Sequence, residues 1–260
     1  MILIVYGVLV VCVASLAAVA GLTLVQRLVP SPRRQHRSND SAIAIYQTLG
    51  IVYAVLLGLV VIAVWEEYGT AAETVESEAN AVAEIAWLAH GLPEPDGVQL
   101  QELARSYTQE VVEEEWPQME QGRVGQRGWD LIDDVRVALQ EVEPRTEPEQ
   151  ALYAEGQDQV QRLADARRMR LVAAEEDIPG VLWAALAFGG AATMGFTYLF
   201  GLESTWAHRL MVLALAGVIG LVLFTVEALE HPFSGSARIG TGAFELVLER
   251  FETSKLSDLR

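Results

Sequence analysis

Uncharged apolar runs and acidic stretches alternate along this chain in a two-plus-two order. Residues 2–26, 43–65, 178–202 and 210–226 contain no Asp, Glu, Lys or Arg over 25, 23, 25 and 17 positions. A helix needs roughly 20 apolar residues to cross the hydrocarbon core, with about 17 as the lower limit. The four runs therefore predict an all-α integral membrane protein with two pairs of transmembrane helices. Continuing the fourth span to Leu229 draws Glu227 into the membrane interface. The organisation expected is a first pair in residues 1–65, an acidic helical stalk in 66–177, a second pair in 178–229, and a tail in 230–260.

The polar insert also reads as helix. No proline appears between residue 43 and Pro93, so the second span is expected to run on to His90 as one helix of 48 residues, about 70 Å at 1.5 Å per residue. Val75, Ala79, Val82, Ala86 and Ala89 alternate spacings of four and three, a heptad-like seam of small residues. Leu92-Pro93-Glu94-Pro95-Asp96-Gly97 then supplies turn chemistry. Two shorter helices follow. The first has Leu100, Leu103, Tyr107, Val111 and Val112 on its apolar face and is expected to stop at Pro117. The second, from Trp129 to Val142, turns Leu131, Ile132, Val135 and Leu139 inward. A proline-free stretch from Glu147 leads to Pro179-Gly180, where the third span begins. Phe244, Val247, Leu248 and Phe251 suit a short amphipathic helix lying on the membrane or on the insert.

Charge sharpens this division. From Glu66 to Asp177 there are 27 Asp and Glu against 9 Lys and Arg, a net of −18 within a chain of net −17. Such an insert repels nucleic acid and anionic headgroups and attracts cations or basic protein partners. Its plainest reading is a solvated stalk. Cys12, the only cysteine, lies in the first span, so no intrachain disulfide or thiolate-rich metal site is available. The first run is expected to be retained as a span, because Arg27, Arg33, Arg34 and Arg37 follow it and nothing positive precedes it. Those arginines with Arg209 place the two short connections in the cytoplasm of a plasma-membrane protein and the insert outside. Arg162, Arg167, Arg168 and Arg170 oppose that placement, but long segments cross largely regardless of charge.

Enzyme chemistry finds little support. His36, His90, His208 and His231 have no ligand spacing and read as loop histidines. No HExxH, GxSxG, Walker or GxGxxG pattern occurs, and neither cofactor nor metal is expected. Glu113-Glu114-Glu115 reads as a solvated helix end, with one member free to pair with an arginine, since a calcium loop would need six to eight oxygens. Gly58, Gly189, Gly190 and Gly195 are expected to let helices approach closely. Gln47, Thr48, Gly50 and Gly58 give the second span a small, uncharged polar face. Glu227, Glu230 and His231 gather ionisable groups at the end of the fourth. These seven are the candidate pore or interface residues.

Several segments together resemble the bacterial four-span membrane proteins described as bestrophin-like. They are Gly50-Ile51-Val52-Tyr53-Ala54-Val55-Leu56-Leu57-Gly58 running to Trp65, Glu78-Ala79-Asn80, Glu115-Trp116-Pro117, the arginines before Leu171, Pro179 with Trp183, and His231-Pro232-Phe233-Ser234-Gly235. The resemblance implies the two-plus-two arrangement, a homo-oligomer in the lipid bilayer, and a pentameric anion channel lined by the second span. The chain departs from true bestrophins in having neither proline nor phenylalanine in residues 43–65 and no counterpart of the acidic calcium clasp. The large domain of that family is cytoplasmic, opposite to the arginine balance here. A different reading is a membrane-anchored interaction or sensing module, in which the acidic stalk and its small-residue seam bind a partner.

The arginine balance makes a testable statement. In a Cys12→Ser background, Gln121→Cys is expected to react with a membrane-impermeant maleimide in intact cells. Labelling only after permeabilisation would assign the insert to the cytoplasm.

Overall fold

The computed structural model describes residues 2–28, 39–175, 177–199 and 205–257. Arg33, Arg34, His36 and Arg37 of the first short connection lie outside the described residues, as does the end of the expected third span. Among the described residues the structure is helical with no strand. In chain order the helices are α1 (Ile2–Leu28), α2 (Asn39–Ala89), α3 (Asp96–Glu110), a π-helical turn (Val111–Glu115), α4 (Trp116–Met119), α5 (Arg127–Glu141), α6 (Glu147–Glu175), α7 (Gly180–Leu199), α8 (Thr205–Glu230) and α9 (Gly242–Ser257). Four of them, α1, α2, α7 and α8, are long and apolar enough to cross a membrane. The contacts divide the chain into two compact units, Met1–Glu66 with Asp177–Glu230 and Glu67–Glu176 with His231–Arg260. Helix α2 runs through that boundary without a break.

In the first unit α1 packs along α8. Ala18, Leu22, Val212 and Ala216 form their common core, and the Ser15 hydroxyl donates to the Leu213 carbonyl at 3.3 Å. Small side chains suit this contact because lipid supplies no hydrophobic drive between helices and close van der Waals approach must replace it. Helix α2 meets α7 and α8 through Val60, Val64, Leu186 and Val226. Tyr53 is buried here and donates to the Leu186 carbonyl at 3.1 Å. A Cβ at Gly189 would overlap the Tyr53 ring, so this glycine permits the approach expected of it. Gly58 and Gly195 face open space within the chain, so neither brings two of the chain's own helices together. Span four also begins earlier than the uncharged run does. Helix α8 starts at Thr205 and takes in Arg209, and His208 is therefore buried in a helix rather than placed in a loop. Its Nε2–H donates to the Thr197 carbonyl at 3.0 Å.

The second unit has its own core and is more than an extension of two spans. The α2 seam Val75, Ala79, Val82, Ala86 and Ala89 is buried throughout. It joins Leu100 and Tyr107 of α3, Ile132 and Val135 of α5, and Val160 and Leu163 of α6 in one cluster. Phe244 and Val247 of α9 belong to the same cluster, so the tail helix packs on the insert. Pro117 does not stop the third helix. The chain passes through a π turn and resumes as α4, with Pro117 in its first turn, where a missing N–H costs nothing.

The close contact at Tyr53 sets an expectation. Gly189→Leu should cost the first unit about 1–3 kcal/mol through overpacking, read as earlier unfolding in a detergent titration. Gly195→Leu, into open space, should leave the midpoint unchanged.

Candidate functional site

Four charged side chains and one phenol enter the core of the second unit. Glu78 comes from α2, Tyr107 from α3, Glu115 from the end of the π turn, and Arg167 with Arg170 from α6; all are buried. Arg170 is the hub. Its Nε donates to Glu78 Oε2 at 2.6 Å and its Nη2 to Glu78 Oε1 at 2.9 Å, a forked pair. Its Nη2 also lies 2.8 Å from Glu115 Oε1, a charge contact outside hydrogen-bonding geometry. Arg167 Nη1 donates to the other Glu115 oxygen at 2.6 Å, and its Nη2 to the Gly125 carbonyl at 3.3 Å. The Tyr107 hydroxyl donates to Glu78. Aromatic faces close the cluster, with Trp129 and Trp116 centred 5.2 Å and 5.4 Å from the Arg167 and Arg170 guanidinium carbons.

Local sequence explains each placement. Arg167 and Arg170 are three residues apart and so share one face of α6. The π turn adds a residue to the helical register between Val111 and Glu115, carrying Glu115 inward while Glu113 and Glu114 remain exposed. Gly128 is needed because a Cβ there would overlap the Arg167 guanidinium. Trp116 continues the packing, edge-on to Phe233 and Phe244 at 5.7 Å and 6.0 Å.

Burial and the charge of Glu78 push the Tyr107 phenol well above its usual range. Burial alone would lower Arg170, but the charge and hydrogen bonds of Glu78, followed by the charge of Glu115, hold it above the ordinary guanidinium value. The cluster therefore keeps protonated cations against two acceptors and presents no accessible nucleophile. It can clamp helices; it offers no group for catalysis.

The residues expected to form a pore or interface lie in the other unit or at its edge. On α2, Tyr53, Val60 and Val64 mark the buried side. At 100° per residue, Gln47, Ala54 and Gly58 share a stripe turned away from that side, with Gly50 at its edge and Thr48 on the flank. Gln47, Thr48 and Gly58 are exposed and Gly50 is half-buried. A Cβ at either glycine would meet nothing. Thr48 donates to the Ala44 carbonyl at 3.0 Å within its own helix. The face is thus left uncovered by the rest of the chain.

Glu227 and Glu230 lie in the last turns of α8, and His231 follows directly. The Glu230 carboxylate accepts the Ile178 N–H at 3.1 Å and the Trp183 indole N–H at 3.0 Å. It ties the end of α8 to the entrance of α7, where a negative charge also suits the helix dipole. Glu227, one turn earlier, buries one oxygen with no hydrogen-bond partner. His231 opens the second unit, and its carbonyl accepts the Gly235 N–H at 2.8 Å in the turn that seats Phe233.

The charge cluster was missed by its residues' chemistry alone. Glu115 is buried where a solvated helix end was expected, and among the described residues it is the one of the three glutamates that pairs with an arginine; two of the four arginines weighed for topology are core residues. The available signal was the set of segments carrying the resemblance. Glu78, Glu115-Trp116, the arginines before Leu171, and Phe233 converge on this core. Among the described residues no three His, Cys, Asp or Glu side chains are grouped to hold a metal ion.

The family model for the Bestrophin-like domain matches residues 12–244. Two solved structures superpose on the chain with a TM-score of 0.65 at 15% identity. One is a point-mutant bacterial bestrophin homologue from Klebsiella pneumoniae, with 96% of this chain and 97% of that chain covered. The other is a point mutant of a membrane protein, with 96% of each covered. At that identity the likeness establishes a shared fold. No curated protein matches.

Removing one partner from the cluster leaves a buried charge uncompensated. Arg170→Ala and Glu78→Ala are each expected to cost about 3–5 kcal/mol, and Tyr107→Phe about 1–3, measured by chemical denaturation. The phenol titrates near pH 10 once unfolded and higher in the fold. Its share of stability is therefore complete below about pH 10 and declines above it. Tyr107→Phe should flatten that alkaline decline.

Proposed function

The chain belongs to the bestrophin-like family, and from that premise we propose that it is a subunit of a homo-oligomeric ion channel whose pore is lined by α2. One observation carries the reading. The stripe of Gln47, Ala54 and Gly58 is small or polar, uncharged, and covered by nothing else in the chain. Lipid offers no partner for the Gln47 amide, whereas a water-filled axis between copies does. Glycine at 58 with open space beside it suits a conduit, because it keeps the lumen wide. Glu230 and Trp183 fix α7 against α8.

Anions are the permeant species that the resemblance implies. The stripe itself carries no charge to oppose them, while Glu66 and Glu67 follow Trp65 directly on the same helix and favour cations. The sign of the reversal potential in a potassium chloride gradient identifies the carrier.

Purified protein in planar bilayers is expected to conduct. Gly58→Phe should reduce unitary conductance severalfold, while Val60→Ile, on the packed side of the same helix, should leave it near its original value. Silent bilayers containing intact oligomer would refute the reading.

A further inference from the structure

The second unit carries a groove that the channel reading does not use. Ala83, Ala86, Trp87 and His90 are spaced by three, one and three residues and so share one face at the end of α2. Val247, Arg250 and Phe251 repeat that three-and-one spacing on α9. The two faces enclose a cleft of about 420 Å³, within the size range of small-molecule sites. Its floor is firm, because Val247 is buried in the main core and Phe251 packs against it. Its wall is an aromatic left in water, with Trp87 68% exposed. The His90 Nδ1–H donates to the Ala86 carbonyl at 2.9 Å, which fixes the imidazole ring at the rim.

Arg250 gives the groove its chemical preference. The insert has 27 acidic side chains against 9 basic ones, and the exposed arginines of α6 sit in ion pairs, Arg162 with Asp158 and Arg168 with Asp165. Arg250 makes no ion pair or hydrogen bond among the described residues. It also lines an apolar cleft that has no acidic wall. A guanidinium beside exposed aromatic surface favours a ligand with an apolar body and one negative head. An all-apolar ligand would leave Arg250 unused, and a polyanion would meet the field of the surrounding carboxylates.

We propose that the cleft between the end of α2 and α9 binds an amphiphilic monoanion, its aromatic or branched body against Trp87, Val247 and Phe251 and its carboxylate on Arg250. This site is independent of whether the first unit conducts ions.

The test uses the full chain in lipid nanodiscs, 2-naphthoate as probe, and empty nanodiscs as the blank for partition into lipid. Calorimetric titration is expected to show saturable binding at one site per chain. Arg250→Glu and the neutral probe 2-naphthamide should each weaken it by about tenfold or more, the loss of one charge-assisted hydrogen bond. Arg250→Lys should keep most of the affinity, and Trp87→Ala should reduce it severalfold. Heats no greater than those of empty nanodiscs would overturn the proposal, as would equal affinity in Arg250→Glu. A change of assembly mass by light scattering in Trp87→Ala or Arg250→Glu would also overturn it, by giving the groove to a second copy of the chain.

Discussion

Arg170 lies at the centre of the second unit with no solvent exposure, and the packing around it follows from having to neutralise that charge. Taking a guanidinium out of water costs several kcal/mol even after relaxation, so partners must be placed well or the unit does not form. Glu78 supplies two hydrogen bonds from α2 and Glu115 a second negative charge from the π turn, which in turn holds Arg167. Tyr107 and the two tryptophans fill the remaining directions. Apolar residues could fill the same volume more cheaply. The ionic solution adds selectivity, because a slipped helix would leave a buried charge alone. Three segments distant in sequence, α2, the continuous α3 and π turn, and α6, are thereby fixed in one register.

The first unit is held by a different balance. Its helices meet through small residues, one buried tyrosine and a few hydroxyl-to-carbonyl bonds, the forces available where apolar burial between helices gains nothing. Glu230 is the exception, a carboxylate placed where the backbone N–H of Ile178 and the indole of Trp183 both need an acceptor. The two units thus share α2 and differ in chemistry. One relies on a buried ion-pair network, the other on close approach.

Legibility in the sequence followed the same division. The spans could be read because absence of charge over about 20 residues has few other meanings, and the Val75–Ala89 seam because its spacing repeats. Glu115 could not be read from composition. Three consecutive glutamates before a Trp-Pro step look like a solvated helix end, and only the altered register turns the third inward. His208 was obscured by Arg209, whose charge shortened the apparent span and left its neighbour looking like a loop residue. Gly58 resembled a packing glycine because sequence shows which residues are small without showing what stands opposite them. Arg250 was unremarkable until α9 was placed against the end of α2.

The π turn has a consequence for how this fold tolerates change in chain length. Its hydrogen bonds span one residue more than those of the helices on either side. Loss of a single residue between Val111 and Glu114 would let the segment relax to an ordinary α-helix without altering any member of the ion-pair network. Glu115 would keep its direction toward Arg167, because the wider turn already absorbs the added residue within one revolution. It is conversion to an ordinary α-helix at unchanged length that would turn Glu115 by about 100° around the axis. A relative that keeps every charged residue but lacks one position here would hold the same ion pairs through an unbroken α-helix.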